Sequence, residues 1–213
     1  MNNMRPPIAA ILAALLLLAW LPAGNAKAAE RADTAGHWAE PELTKWLETG
    51  DLRGYADGSV KPDQPITRAE WIALTNRAFY YEGEHPTLPS DTAPGAWYAS
   101  AVSAALAAGY IEGGDNGAVR PEAPITRQEA AAALSRIGHS FLEAAEGTPP
   151  SFQDEADRWA EPSIASVAKI GWMNGYPDGT FAPLSRLRGL KRLLCWSGRL
   201  SPCSAHCAAM HAN

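Results

Sequence analysis

Cysteine is missing from residues 29–183; Cys195, Cys203 and Cys207 all lie beyond Pro183. Whatever folds in that stretch is held by packing and not by disulfides. Positive charge is also scarce there, with 11 basic residues against 23 acidic ones. Nucleic acid demands a net positive surface, so it is excluded as a partner. The one apolar run, Ile8 to Leu21, is short for a bilayer span and is broken by Pro22 and Gly24. With Arg5 before it and Ala26-Lys27-Ala28 after it, residues 1–28 read as a secretory signal peptide. Its removal leaves a mature chain without a transmembrane segment. Nucleophile motifs and coherent metal clusters are lacking too, since Cys203, His206, Cys207 and His211 match no finger spacing. The sequence calls for no catalytic residue, metal or cofactor.

What the sequence does have is one pattern written three times. Trp38, Gly50, Gly54 and Pro62 recur as Trp97, Gly109, Gly113 and Pro121, then as Trp159, Gly171, Gly175 and Pro183, with identical intervals of 12, 4 and 8 residues. The copies start 59 and 62 residues apart. Such a period marks a repeat architecture. The expected units are 29–84, 85–147 and an incomplete 148–186, followed by an aberrant basic tail over 187–213.

Each unit reads as helix, glycine-rich loop, capped helix, so the fold class is all-α. Leu43, Trp46 and Leu47 stand at helical spacing, matched by Val102, Ala105 and Leu106, then by Ile164, Val167 and Ala168. Pro41 and Pro162 suit a first turn, and Gly50, Gly109 and Gly171 suit a left-handed helix end. Gly54-Tyr55-Ala56-Asp57-Gly58 and Gly175-Tyr176-Pro177-Asp178-Gly179 carry turn chemistry, with too few carboxylates for a calcium loop. The second copy has Asn116 at the Asp position. Thr67-Arg68-Ala69-Glu70 and Thr126-Arg127-Gln128-Glu129 are capping boxes that open the second helices. A single unit of this size buries too little surface to be secure alone.

The openings from Asp33 to Trp38, the Gly-Tyr-x-Asp-Gly loops and the Thr-Arg-x-Glu caps together resemble the S-layer homology repeat, from about Asp33 to Pro183. The resemblance implies three repeats packed about a pseudo-threefold axis. It also implies a non-catalytic module that tethers an exported protein, at the cell wall or S-layer surface, to a secondary cell-wall polysaccharide. That polymer is attached to peptidoglycan of a Gram-positive-type envelope and is often pyruvylated. The positions carried over as polymer-binding are Asp33, Asp91 and Asp154; Trp38, Trp97 and Trp159; Gly54, Gly113 and Gly175; and Arg68 and Arg127. A guanidinium suits the carboxylate of a sugar ketal, and a first-turn position adds free N–H groups and the helix dipole. On this reading the arginines are exposed and add little to stability. Two roles stand open for each Trp, core filler or platform for a sugar ring, and the two can coexist.

The third repeat departs from the pattern where the composition turns basic. Arg188-Gly189-Leu190-Lys191 replaces the expected Thr-Arg-x-Glu. One choice of codons for Lys191 to Leu200, read one base earlier, encodes Glu-Ala-Ala-Ala-Val-Leu-Val-Arg-Ala-Ala. That would restore both the capping Glu and an apolar helix, which points to a shifted frame. A third repeat without its second helix should leave Ile164 and Val167 more exposed than their counterparts. Two other function classes stand beside the anchor: an exported wall- or polysaccharide-active enzyme with an acidic pair, and a helical array that binds protein.

Overall fold

The computed structural model describes residues 33–114, 116–139 and 146–187. Among them are five helices: α1 (Glu40–Thr49), α2 (Arg68–Phe79), α3 (Ala99–Ala107), α4 (Arg127–Ile137) and α5 (Glu161–Lys169). No strand forms among the described residues, where β-pairing is limited to two isolated antiparallel bridges, Thr67 with Pro124 and Thr126 with Arg186. The all-α reading stands; of the tail expected over 187–213 only Leu187 is described, and the expected frame change lies outside the described residues.

Local signals set the helix ends. Pro41 and Pro162 sit in the first turns of α1 and α5, where a missing N–H leaves no intrahelical bond unmade. Gly50, Gly109 and Gly171 follow α1, α3 and α5 at φ of 79°, 75° and 73°, the left-handed turn that stops each helix. Both capping boxes are complete. Glu70 N donates to Thr67 Oγ1 at 3.2 Å, and Thr67 N donates to Glu70 Oε2 at 2.8 Å.

The next two donors of each capped helix are satisfied from another repeat. Arg68 N and Ala69 N donate to Ala123 O and Pro121 O at 2.9 and 2.8 Å. One repeat further on, Arg127 N and Gln128 N donate to Ser185 O and Pro183 O, both at 3.0 Å. The four N–H groups that every helix start leaves over are thus all paired, two by the box and two by the loop of the next repeat. The expected free first-turn donors are therefore absent from α2 and α4. Just before these helices the backbone closes on itself. Ile125 N donates to Ile66 O at 3.1 Å, Leu187 N to Ile125 O at 2.9 Å, and Ile66 N to Leu187 O at 3.0 Å. Three equivalent buried residues, one per repeat, form a hydrogen-bonded triangle, and this is the pseudo-threefold centre.

Helix packing follows the same order. The second helix of one repeat packs on the first helix of the next, α2 on α3 and α4 on α5. Trp71 of α2 is fully buried, edge-on to Tyr110 at 6.3 Å, and the Tyr110 hydroxyl donates to Asn76 Oδ1 at 2.5 Å. The expectation for Ile164 and Val167 fails, since they are only 4% and 0% exposed. Their partner is α4, in the intact second repeat.

The arginines of the capping boxes also depart from expectation. Arg68 and Arg127 are 8% and 1% exposed. Arg68 Nε donates to Val119 O at 2.6 Å, and its Nη1 pairs with Glu129 Oε1 at 3.0 Å. Arg127 Nε and Nη2 donate to Phe181 O and Asn174 O at 2.7 and 3.0 Å, with the guanidinium 4.3 Å above the Phe181 ring. Each joins its helix to the loop of the following repeat. Exposure was the wrong inference because the helix start abuts a neighbour that no single repeat contains. Arg127→Ala is expected to cost roughly 2–4 kcal/mol through two lost charge-assisted bonds and lost packing, against about 1 kcal/mol for Thr126→Ala. Urea denaturation of the two variants checks the order.

Arg127 Nη1 is one of three buried side-chain nitrogens without a hydrogen-bond partner among the described residues. The equivalent atom of Arg68 meets Glu129, which lies four residues past Ile125. Four residues past Leu187 the sequence has Lys191. A buried donor left unpaired costs about 1–3 kcal/mol. Lys191→Glu is expected to raise Tm by a few degrees, on the order of 2–4 °C per kcal/mol regained in a chain of this size. Calorimetry should show the rise only while Arg127 is present; an equal rise in Arg127→Ala would separate the two residues.

Candidate functional site

The repeat openings turn one side chain out and the next one in. Trp38, Trp97 and Trp159 are 37%, 66% and 55% exposed, whereas the residues after them, Ala39, Tyr98 and Ala160, are buried. All three indoles are thus open to solvent in part, Trp97 most of all. Trp97 faces a cavity of about 790 Å³ between the first and second repeats. The loop of the first repeat forms one wall of this cavity with Arg53, Gly54, Tyr55 and Lys61, and α2 adds Arg77. Gly54 and Trp97 are thus brought together, as the repeat pattern expects. Neither Trp38 nor Trp159 lines this cavity.

The opening aspartates do a different job. Asp33 Oδ2 accepts from Val60 N and Lys61 N at 2.9 and 2.6 Å. Asp91 accepts from Val119 N and Arg120 N, and Asp154 from Phe181 N and Ala182 N, in the same way. Lys61, Arg120 and Ala182 all have positive φ, 51° to 53°. Each carboxylate therefore clamps the one left-handed non-glycine residue in its loop, a conformation that costs roughly 1–3 kcal/mol unless held. The loop glycines are there for contact distance. A β-carbon on Gly54 would stand 2.9 Å from Ser59 O, and one on Gly113 would stand 2.5 Å from Gly117 O. At Gly175 it would meet Thr180 O at 2.7 Å and collide with the Phe152 ring. Asp57 and Asp178 each accept from the backbone and hydroxyl of the residue two ahead, Ser59 and Thr180. Those bonds, led by the hydroxyl, hold both carboxyls below the usual range. Asn116 makes the backbone half of the turn, accepting from Ala118 N at 3.0 Å. Among the described residues no group of three or more His, Cys, Asp or Glu could hold a metal ion.

Tyr55 links the cavity wall to the helix cap beneath it. Its hydroxyl donates to Glu70 Oε1 at 2.7 Å, and Lys61 Nζ sits 4.3 Å above its ring. Partial burial, then the bond to Glu70 and the charges of Glu70 and Asp57, push its ionisation up to about 12. The folded form thus keeps a proton that the unfolded chain releases near pH 10. The stabilisation is complete below pH 10 and is lost as pH rises toward about 12. Tyr55→Phe is expected to flatten this alkaline loss, as followed by urea midpoints between pH 9 and about 12.

Arg53, Lys61 and Arg77 were not among the residues expected from the repeat pattern. A comparison of the position before each loop glycine, which holds Arg53, Glu112 and Asn174, could have flagged the first of them.

The S-layer homology domain family matches residues 32–71, 90–131 and 152–185. The amylopullulanase of Thermoanaerobacterium thermosulfurigenes is 33% identical over 160 residues, covering 71% of this chain and 8% of that protein. The surface-layer 125 kDa protein of Lysinibacillus sphaericus is 28% identical over 82% of this chain and 14% of its own length. The cellulosome-anchoring protein of Acetivibrio thermocellus is 27% identical over 64% of this chain and 32% of its own length. The chain thus spans less than a third of each of these relatives. Three matched segments, two complete Thr-Arg-x-Glu caps and a closed threefold centre agree, and the chain belongs to the S-layer homology domain family.

Proposed function

We propose that this chain is a non-catalytic anchoring module that holds an exported protein to the cell surface by binding a secondary cell-wall polymer with pyruvylated sugars. The observation that carries the reading is the inter-repeat cavity, where an exposed Trp97 faces a glycine loop and two guanidinium groups. An indole offers a face to a sugar ring, and guanidinium offers paired donors to a carboxylate. Trp38 and Trp159 supply equivalent platforms at the other repeats. Asp33, Asp91 and Asp154 shape the grooves by clamping their loops. Gly54, Gly113 and Gly175 keep those loops narrow, and Arg68 and Arg127 support them from beneath.

Relatives with very different names share this segment, among them an amylopullulanase and a cellulosome-anchoring protein. That distribution supports an accessory role for the shared part. Among the described residues no helix is long and apolar enough to cross a membrane, so attachment through the polymer is consistent with the chain's own surface.

The protein is expected to sediment with purified cell walls that retain their secondary polymer and to stay in solution with walls stripped of it. Equal binding to the two preparations would exclude the polymer as the receptor.

A further inference from the structure

The three repeats fasten their opening segments in different ways. In the first, His37 Nε2 faces Asp63 Oδ2 at 3.5 Å. In the second, the Tyr98 hydroxyl donates to Glu122 Oε1 at 3.4 Å. Asp63 and Glu122 each stand one residue past the Pro of the repeat pattern, and the third repeat has Leu184 there. Leu184 is 65% exposed, and its side chain has no polar atom with which to hold the opening.

The third opening is held from the second repeat instead. Gln128, two residues past the capping Thr126 of α4, is buried. Its Nε2 donates to Asp157 Oδ2 at 2.7 Å, and its Oε1 accepts from Asp157 N at 3.4 Å. The backbone N–H of Gln128 donates to Pro183 O at 3.0 Å, so one residue grips both the opening and the loop of the third repeat. Asp157 Oδ2 accepts a further bond, from Trp159 Nε1 at 3.3 Å. In the first repeat Ala69 takes the place of Gln128, and Gly36 and Gly95 take the place of Asp157. Neither glycine has a side chain to meet an indole N–H.

A buried amide that bonds one residue through both its oxygen and its nitrogen fixes that residue's carboxylate. An indole N–H bonded to a fixed carboxylate is in turn restricted in rotation. For an aromatic face that receives a sugar ring, freedom given up beforehand is not lost again on binding.

We propose that Asp157 and Gln128 are positioning residues that hold the Trp159 indole in its binding orientation, so that the second repeat presets the sugar platform of the third. The inference rests on the reading of Trp159 as such a platform and adds what orients it.

The test follows the tryptophan indole N–H resonances of the ¹⁵N-labelled full chain, with Trp159 assigned through Trp159→Phe, and affinity for polymer-bearing cell walls. Asp157→Ala should speed solvent exchange of the Trp159 indole N–H and weaken wall binding, each by about two- to tenfold, the worth of one hydrogen bond. Asp157→Asn keeps an acceptor oxygen and should recover most of both. Gln128→Ala should shift both in the same direction by less. In a Trp159→Phe background, Asp157→Ala should cost no further affinity. Circular dichroism reports whether each variant is folded. Unchanged indole exchange in Asp157→Ala, or in Gln128→Ala should the former not fold, overturns the positioning role. So does an equal loss of wall binding with and without the indole. An unresponsive indole combined with weaker binding by Trp159→Phe would leave the platform reading standing. If Trp159→Phe binds walls as wild type does, the platform reading of Trp159 fails and the proposal falls with it.

Discussion

A triangle of three backbone hydrogen bonds, Ile66 to Leu187, Ile125 to Ile66 and Leu187 to Ile125, organises this molecule. Its strength comes from position. Ile66 and Ile125 are buried residues just before the two capping boxes, so closing the triangle places each of those helix starts against the loop of the following repeat. The first-turn N–H groups then find Ala123, Pro121, Ser185 and Pro183 carbonyls instead of water. A repeat on its own would leave those donors unpaired. The repeats are therefore parts of one fold, and the marginal core of each unit becomes part of a shared one.

This commitment of the helix starts decides which polar groups are taken up inside the fold. Arg68 and Arg127 carry the chemistry of anion recognition but spend it on Val119, Phe181 and Asn174 carbonyls and on Glu129. The opening aspartates spend theirs on left-handed loop residues. Trp97, Arg53, Lys61 and Arg77 line the cavity between the first and second repeats. The motif positions build the loops and helix starts around this cavity, and Arg53, Lys61 and Arg77 on its wall lie between them.

The third repeat shows what such a shared design costs when one unit departs from the pattern. Arg68 pairs with Glu129, whereas Arg127 Nη1 has no hydrogen-bond partner among the described residues, and the sequence has Lys191 four residues past Leu187. The first helix of that repeat is nonetheless well packed, as its partner α4 belongs to the second repeat.

Much of this was legible in the chain. The fixed Trp-Gly-Gly-Pro intervals, the capping boxes, the helix-ending glycines and the apolar faces at Leu43, Val102 and Ile164 are local features, set by backbone conformation and short-range hydrogen bonds, and the structure repeats them. What the linear pattern could not decide is which surface of each motif meets another repeat. Arg68 reads as solvent-facing until the loop holding Val119 arrives from 51 residues away. Trp71 and Trp97 are the same side chain at similar helical starts, yet one is fully buried and the other 66% exposed. Sequence alone determined the repeat, its helices and its family. Only tertiary structure decided which arginines are buried and which line a groove, because burial there is set by a neighbour docked through long-range hydrogen bonds.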